Sequence, residues 1–290
     1  MTNPEASRPV VFGVDARHPG QPALAWAADE AVRRRAPLRM VHAESPFRLG
    51  LGGFDGVVSR KSGCSPGEEA LDEAVAFATG RHPGLDVAAF LLEGAPAQVL
   101  CRQSEEAQLV VLGSRRLNRL EEFLSGGSVA VPVSAQAACA VVVVLEPEDA
   151  VCRSPYLVVG ADGSRASEAA VDYAFETAAV RGADLHALWV WEPTLLDSAD
   201  EVLALQKCRR LLFETMAERA ERHPDVTVSR QVVRGHPVEE LARASEHALA
   251  VVVGRRGRGG FTGMRLGSVP HGLLHRAHCP VVTVPTSGRH

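Results

Sequence analysis

The sequence predicts an α/β protein of two tandem domains, each a doubly wound parallel sheet of five strands with helices between them. Three observations carry that expectation. Short apolar, β-branched runs alternate with longer helical stretches, the pattern of a parallel sheet covered by crossover helices. Landmarks from the first half return in the second, which marks an internal repeat. A length of 290 residues with 46% hydrophobic content suits a globular chain with two cores.

The repeat is explicit. VVFGVD at Val10–Asp15 returns as LVVGAD at Leu157–Asp162, and GAPAQVL at Gly94–Leu100 returns as GHPVEEL at Gly235–Leu241. LVVLG at Leu109–Gly113 becomes AVVVG at Ala250–Gly254, and CAVVVV at Cys139–Val144 becomes CPVVTV at Cys279–Val284. The offsets are 147, 141, 141 and 140 residues, as a duplication followed by loop insertions would leave. The boundary falls near 146–155, where Pro147, Glu148 and Asp149 form a short polar linker, so the domains are expected at 1–150 and 151–290.

In chain order, the first half has strands near 9–15, 38–44, 85–92, 108–113 and 140–145, with helices near 21–36, 66–81, 96–106 and 128–138. The second half has strands near 155–161, 184–191, 226–234, 249–254 and 281–285, with helices near 165–181, 197–222, 237–247 and 268–277. Alanine runs at Ala23–Ala28 and Ala169–Ala174 suit helices lying close on a sheet. Right-handed crossovers then leave few topologies, and a small doubly wound sheet fits best. The stretch from Ser45 to Pro66, with Gly50, Gly52 and Gly53, has no periodic pattern and reads as a linker.

The most informative stretch runs from Leu249 to Val269. It starts as a strand apolar on both faces, then breaks into a loop with Gly254, Gly257, Gly259, Gly260, Gly263 and Gly267, carrying Arg255, Arg256 and Arg258. It restarts as a helix, with Ser268 expected as N-cap and Pro270 in the first turn. Strand, glycine loop and helix start together bring bare backbone N–H groups and a positive dipole end to one place, where an anion can sit. This is not a P-loop, which ends Gly-Lys-Ser/Thr, since the two lysines are Lys61 and Lys207. Nor is it GxGxxG, which follows a first strand.

The spacing Gly254-x2-Gly257-x9-Gly267-Ser268 resembles the nucleotide loop of the universal stress protein family at every defined position. The resemblance extends over nearly all of both halves. It implies Rossmann-like domains of strand order 3-2-1-4-5 and an adenine nucleotide as ligand, ATP with or without Mg2+. The crevice between strands 1 and 4, where winding reverses, is where such sheets bind ligands on physical grounds as well. On the resemblance, Ala161 and Asp162 belong to the adenosine end and Val190 meets adenine through its backbone. Gly254, Gly257, Gly267, Ser268 and Val269 contact ribose and phosphates. Read from the residues alone, Arg255, Arg256 and Arg258 either add charge to the phosphates or are solvated arginines on a loop, the more frequent case. The alternative for Asp162 is a helix-start turn former that needs no ligand.

The first half departs from this pattern. Arg116 stands where the second glycine belongs, Gly126 and Gly127 shift the Gly-Ser step that ends at Ser128, and Glu121 and Glu122 bring negative charge. Asp15 and Gly113 remain, and Ala43 replaces the valine. These residues make a weaker or empty first-domain site, although Arg116 could clamp a phosphate.

Composition removes several classes. A net charge of −4 and a pI near 6.3 give no nucleic-acid footprint. No apolar run approaches the roughly 20 residues that span a bilayer, and the start lacks a signal-peptide layout, so a cytoplasmic protein is expected. Six cysteines without a CxxC pair read as reduced, buried thiols. His271, His275 and His278 share a helix face, but one helix supplies too few ligands, and no metal is expected. Trp189 and Trp191 read as packing, and Arg33–Arg35 and Arg209–Arg210 as solvated arginines. No Ser–His–Asp set, catalytic carboxylate pair or Walker acid is recognisable, so the chain reads first as a nucleotide-dependent regulatory module. The alternatives are a slow ATPase or phosphoryl- or adenylyl-transfer enzyme, and a flavin electron-transfer module. The fifth strands would be apolar edges and need covering. The resemblance implies that the two domains pair there, and that a homodimer can form.

Overall fold

Unbroken valine runs build the strands, and small-residue stripes let helices lie close upon them. The computed structural model describes residues 8–17, 20–44, 65–114, 129–145, 155–193, 201–258 and 265–286. Packing divides the chain into one unit of Met1–Ser114 with Ala137–Cys139, and a second of Arg115–Gln136 with Ala140–His290.

In the first unit, β1 (Val10–Gly13), β2 (Leu38–Glu44), β3 (Val87–Glu93) and β4 (Leu109–Ser114) lie in the order β3-β2-β1-β4, all parallel. The register sets Val10 opposite both Leu38 and Leu109. Helices α1 (Gln21–Arg34), α2 (Pro66–Arg81) and α3 (Pro96–Gln103) connect them. Ala23, Ala27 and Ala31, one turn apart along α1, are all buried.

The second unit contains α4 (Ala130–Gln136), β5 (Ala140–Leu145), β6 (Tyr156–Gly160), α5 (Arg165–Arg181), β7 (Asp184–Trp191) and α6 (Glu201–Arg222). It continues with β8 (Val228–Arg234), α7 (Pro237–Ala244), β9 (Ala250–Gly254), α8 (Ser268–Arg276) and β10 (Val281–Val284). Its strands run β8-β7-β6-β9-β10, the order 3-2-1-4-5, with β5 added antiparallel against β10. Both fifth strands are buried along their whole length, with Val282 opposite Val142. Such apolar ribbons would otherwise present open backbone edges. Helix α5 packs beside α6, and α7 beside α8. The chain steps outward from β6 through β7 to β8, then returns across the sheet to β9. Right-handed crossovers therefore put the two helix pairs on opposite faces and leave a crevice beyond the ends of β6 and β9.

The duplication reaches below the sequence motifs. Arg81 forks onto Asp29 at 2.6 and 2.9 Å in the first unit, and Arg219 forks onto Asp172 at 2.6 and 3.2 Å in the second. Buried Ser104 accepts the Ala138 N–H and donates to the Cys101 carbonyl, while buried Ser245 accepts the His278 N–H and donates to the Ala242 carbonyl. Ser104 thus pins the turn before β5 to the end of α3, and Ser245 the turn before β10 to the end of α7.

Several expectations change. Gly267, extended at φ −69° and ψ 161°, is the N-cap of α8, and Ser268 is its first residue. The chain bends at Gly267 because its N–H is taken by the Arg255 carbonyl at 2.9 Å, which fixes the helix start one residue early. The arginines at the end of α1 are not all solvated: Arg34 and Arg33 reach the fully buried Glu30 at 2.7 and 3.4 Å, since a buried carboxylate needs cationic partners. Arg35 caps the helix at φ 51°, the left-handed region where its counterpart is Gly182. Cys208 and Cys279 are buried, whereas Cys101 and Cys139 are half-buried, and all four are thiols. Burial pushes the Cys139 thiol up to about 12. Residues 45–64 and most of the 146–155 linker lie outside the described residues.

Candidate nucleotide-binding site

At the carboxyl end of β6 the chain turns sharply from Ala161 through Asp162-Gly163-Ser164 into α5. Asp162 makes the turn by accepting the Ser164 N–H at Oδ1, 2.9 Å away. Gly163 is required there: its φ is +74°, and a side chain would stand 3.0 Å from the Trp189 ring. Ser164 caps α5 through the Ser167 N–H at 3.2 Å, with Ser167 Oγ returning to the Ser164 carbonyl.

The other wall comes from β9. Asp162 Oδ2 accepts the Arg258 N–H at 3.0 Å, across 96 residues of sequence, so the acid and the glycine loop meet in one crevice. A β-carbon on Gly257 would stand 2.5 Å from the same oxygen. The Arg258 guanidinium lies 6.0 Å from the Trp189 ring centroid, within cation–π range. Trp189 itself is buried and also hydrogen bonds to the Cys208 thiol. Burial pushes that thiol up, while the Arg258 charge and the Trp189 bond oppose the shift. Trp189 is thus packing, as expected, and additionally a platform for Arg258.

The motif glycines divide by cause. At Gly254 a β-carbon would meet the Ala166 carbonyl oxygen at 2.5 Å, so this glycine lets α5 approach β9. At Gly267 it would find Arg255 O and Arg256 Cα at 3.4 Å and Pro270 Cδ at 3.5 Å, which the backbone can accommodate. Among the described residues, then, nothing stands where a β-carbon on Gly267 would go. The first amides of α8, Ser268 and Val269, have no acceptor within the helix. Arg255 lies between Val284, whose carbonyl accepts its N–H, and Gly267; Arg256 reaches the Arg265 carbonyl at 3.4 Å. Val190 is half-buried at the end of β7. Residues 259–264 lie outside the described residues.

In the first unit, Asp15 Oδ1 accepts the Arg17 N–H at 3.0 Å, and α1 begins three residues later relative to its acid than α5 does. Its N-cap is Gly20, at φ 53°, with no side-chain bond. Gly113 would meet only the Ala23 methyl at 3.4 Å and Gly20 Cα at 3.9 Å. His42 occupies the place of Trp189 and bonds the Val14 carbonyl through Nδ1 at 2.8 Å, and Ala43 follows it, half-buried. Arg116, Gly126, Gly127 and Ser128 lie outside the described residues.

Sequence reasoning brought Asp162 and the β9 loop to one crevice through topology alone, but missed their direct bond and the part played by Trp189. The signal was the Asp162-Gly163 pair, whose glycine leaves room for the indole. His271 and His275 pack ring edge to face, centroids 5.0 Å apart. Among the described residues there is no group of three metal-ligating side chains, and no helix long and apolar enough to cross a membrane.

The universal stress protein family's sequence pattern matches the chain twice, at residues 6–144 and 156–285. A universal stress protein of Mycobacterium tuberculosis is 35% identical over 307 residues, covering 99% of this chain and all of that protein. One from Mycolicibacterium smegmatis is 36% identical over 286 residues, covering 95% and 96% of the two chains. The crystal structure of a universal stress protein from Archaeoglobus fulgidus superposes with a TM-score of 0.68 at 18% identity, covering 99% of this chain and 100% of that one, which speaks for the fold. With its motifs, strand order and both matches in agreement, the chain belongs to the universal stress protein family and carries two copies of the family's domain in tandem.

Proposed function

We propose that the second domain binds an adenine nucleotide, ATP with or without Mg2+, and that the protein acts in the cytoplasm as a nucleotide-dependent regulatory module. The observation that carries this reading is Gly267. It sits at the start of α8 beside the glycine loop, and among the described residues a β-carbon there would meet only ordinary contacts at 3.4 Å or more. A ligand that approaches the backbone there would account for the missing side chain. Asp162, Val190, Gly257, Arg258, Ser268 and Val269 surround the strand ends where such sheets take nucleotides. Asp162 directs both oxygens at backbone amides, which spreads the charge that would otherwise repel phosphate. A carboxylate held by two amides beside a glycine loop suits binding and orienting a ligand. Binding would shift the protein between states only to the extent that one state binds better. Mass spectrometry of the small molecules released from freshly purified protein, followed by calorimetric titration with ATP, tests the proposal. Release of ATP or ADP and saturable ATP binding are expected; a protein that neither carries nor takes up adenine nucleotide would end it.

A further inference from the structure

We infer that Asp162 positions the phosphate loop, holding the Gly257–Arg258 step over the end of β6 through the Arg258 amide. The inference rests on the nucleotide reading above for its consequence, but not for its geometry. A single carboxylate joins two segments far apart in sequence: Oδ1 takes the Ser164 N–H of its own turn at 2.9 Å, and Oδ2 takes the Arg258 N–H at 3.0 Å. Gly257 is part of the same contact, because a β-carbon there would stand 2.5 Å from Oδ2 and displace the carboxylate. Gly257 is not among the glycines with left-handed backbone, so a side chain is excluded by the acid and not by its dihedral angles. Arg258 is held at its other end too, with its guanidinium over buried Trp189. The loop's first residues after β9, up to Arg258, are therefore held at a backbone amide and at a side chain. A preset loop has less ordering entropy to lose when an anion binds.

This assigns Asp162 an effect on phosphate opposite in sign to its charge. An acid that merely stood near the hollow would repel phosphate, and its removal would tighten phosphate binding. An acid that merely touched adenosine would leave phosphate binding unchanged. An acid that positions the loop makes phosphate binding weaker when it is lost.

The substitution Asp162→Asn separates these cases. The amide oxygen can still accept the Ser164 N–H, but an NH2 in place of Oδ2 cannot accept from Arg258. In ligand-free D162N, exchange of the Arg258 amide should quicken by about tenfold or more, while amides of β6 and α5 keep their protection. Calorimetry with inorganic tripolyphosphate as the probe should show binding weakened about tenfold relative to wild type. A second pair of variants guards against misfolding. Gly257→Ala should quicken Arg258 exchange in the wild-type background and have no such effect beside Asp162→Ala, where the methyl meets no carboxylate. Unchanged Arg258 exchange in D162N, or tripolyphosphate bound equally or more tightly by it, would overturn the inference. If wild type binds neither ATP nor tripolyphosphate, the nucleotide reading fails, and the clamp is judged by amide exchange alone.

Discussion

Two glycines of the motif, Gly254 and Gly267, differ in what a side chain would meet. At Gly254 a methyl group would collide with the Ala166 carbonyl oxygen, backbone in the first turn of α5, where Ala166 and Ser167 are buried. At Gly267 the nearest atoms stand at 3.4 Å and the backbone is extended. Gly254→Ala is therefore expected to lower stability by about 2–3 kcal/mol, seen as a reduced urea midpoint. Gly267→Ala should change unfolding stability by less than about 1 kcal/mol and weaken ATP binding at least tenfold, on the order of the loss of one backbone-anion contact. Equal destabilisation by both, or full ATP affinity in Gly267→Ala, would contradict this division. The same reasoning marks Arg35, whose left-handed φ of 51° is adopted by a residue with a β-carbon where the second unit uses Gly182.

Between elements, the recurring device is an arginine fork, tying α1 to α2 in the first unit and α5 to α6 in the second. In the first unit the Arg81 hydrogen bond holds the Asp29 carboxyl down at about 2, with His82 adding to it and burial opposing. Because the folded value lies below the ordinary carboxylate range, the contribution is complete above roughly pH 4 and is lost as pH falls through about 2. Allowing for solvent screening of the partly exposed pair, it amounts to about 1–2 kcal/mol. Asp29→Asn should therefore be less stable than wild type by that amount at pH 7, in urea unfolding, and the two curves should converge as pH approaches 2. A difference that persists at pH 2 would show that the fork stabilises by packing and not by charge.

Over the whole molecule, duplication gave two similar sheets but unlike crevices. The second unit's acid reaches its loop amide and lies near a tryptophan platform; the first unit's acid is bonded to the Arg17 amide within its own longer turn, beside His42. With Arg116 in place of a motif glycine and Glu121 and Glu122 close in sequence, the first domain should bind ATP far more weakly. Titration of protein stripped of nucleotide should give about one tight site per chain, because roughly 1–2 kcal/mol of unscreened repulsion already costs about tenfold or more in affinity. Two equal tight sites would refute the asymmetry.

The sequence by itself determined the duplication, the element order and the location of the crevice. Each follows from local or periodic information: valine runs at Val251–Val253, proline and glycine at turns, and motifs that recur at near-constant offset. Helix α5 at Arg165–Arg181 and strand β7 at Asp184–Trp191 fall where that periodicity puts them. Tertiary structure alone decided at which of the two glycines a β-carbon would clash, because Gly254 and Gly267 look alike until Ala166 is brought against one of them. It also decided that Glu30 is buried beneath the arginines of α1, that Ser104 and Ser245 pin distant turns, and that Asp162 meets Arg258. These bonds join residues some 30 to 100 positions apart, or depend on how deeply a neighbour is buried. Their partners are set by distance in space, which no spacing along a chain encodes.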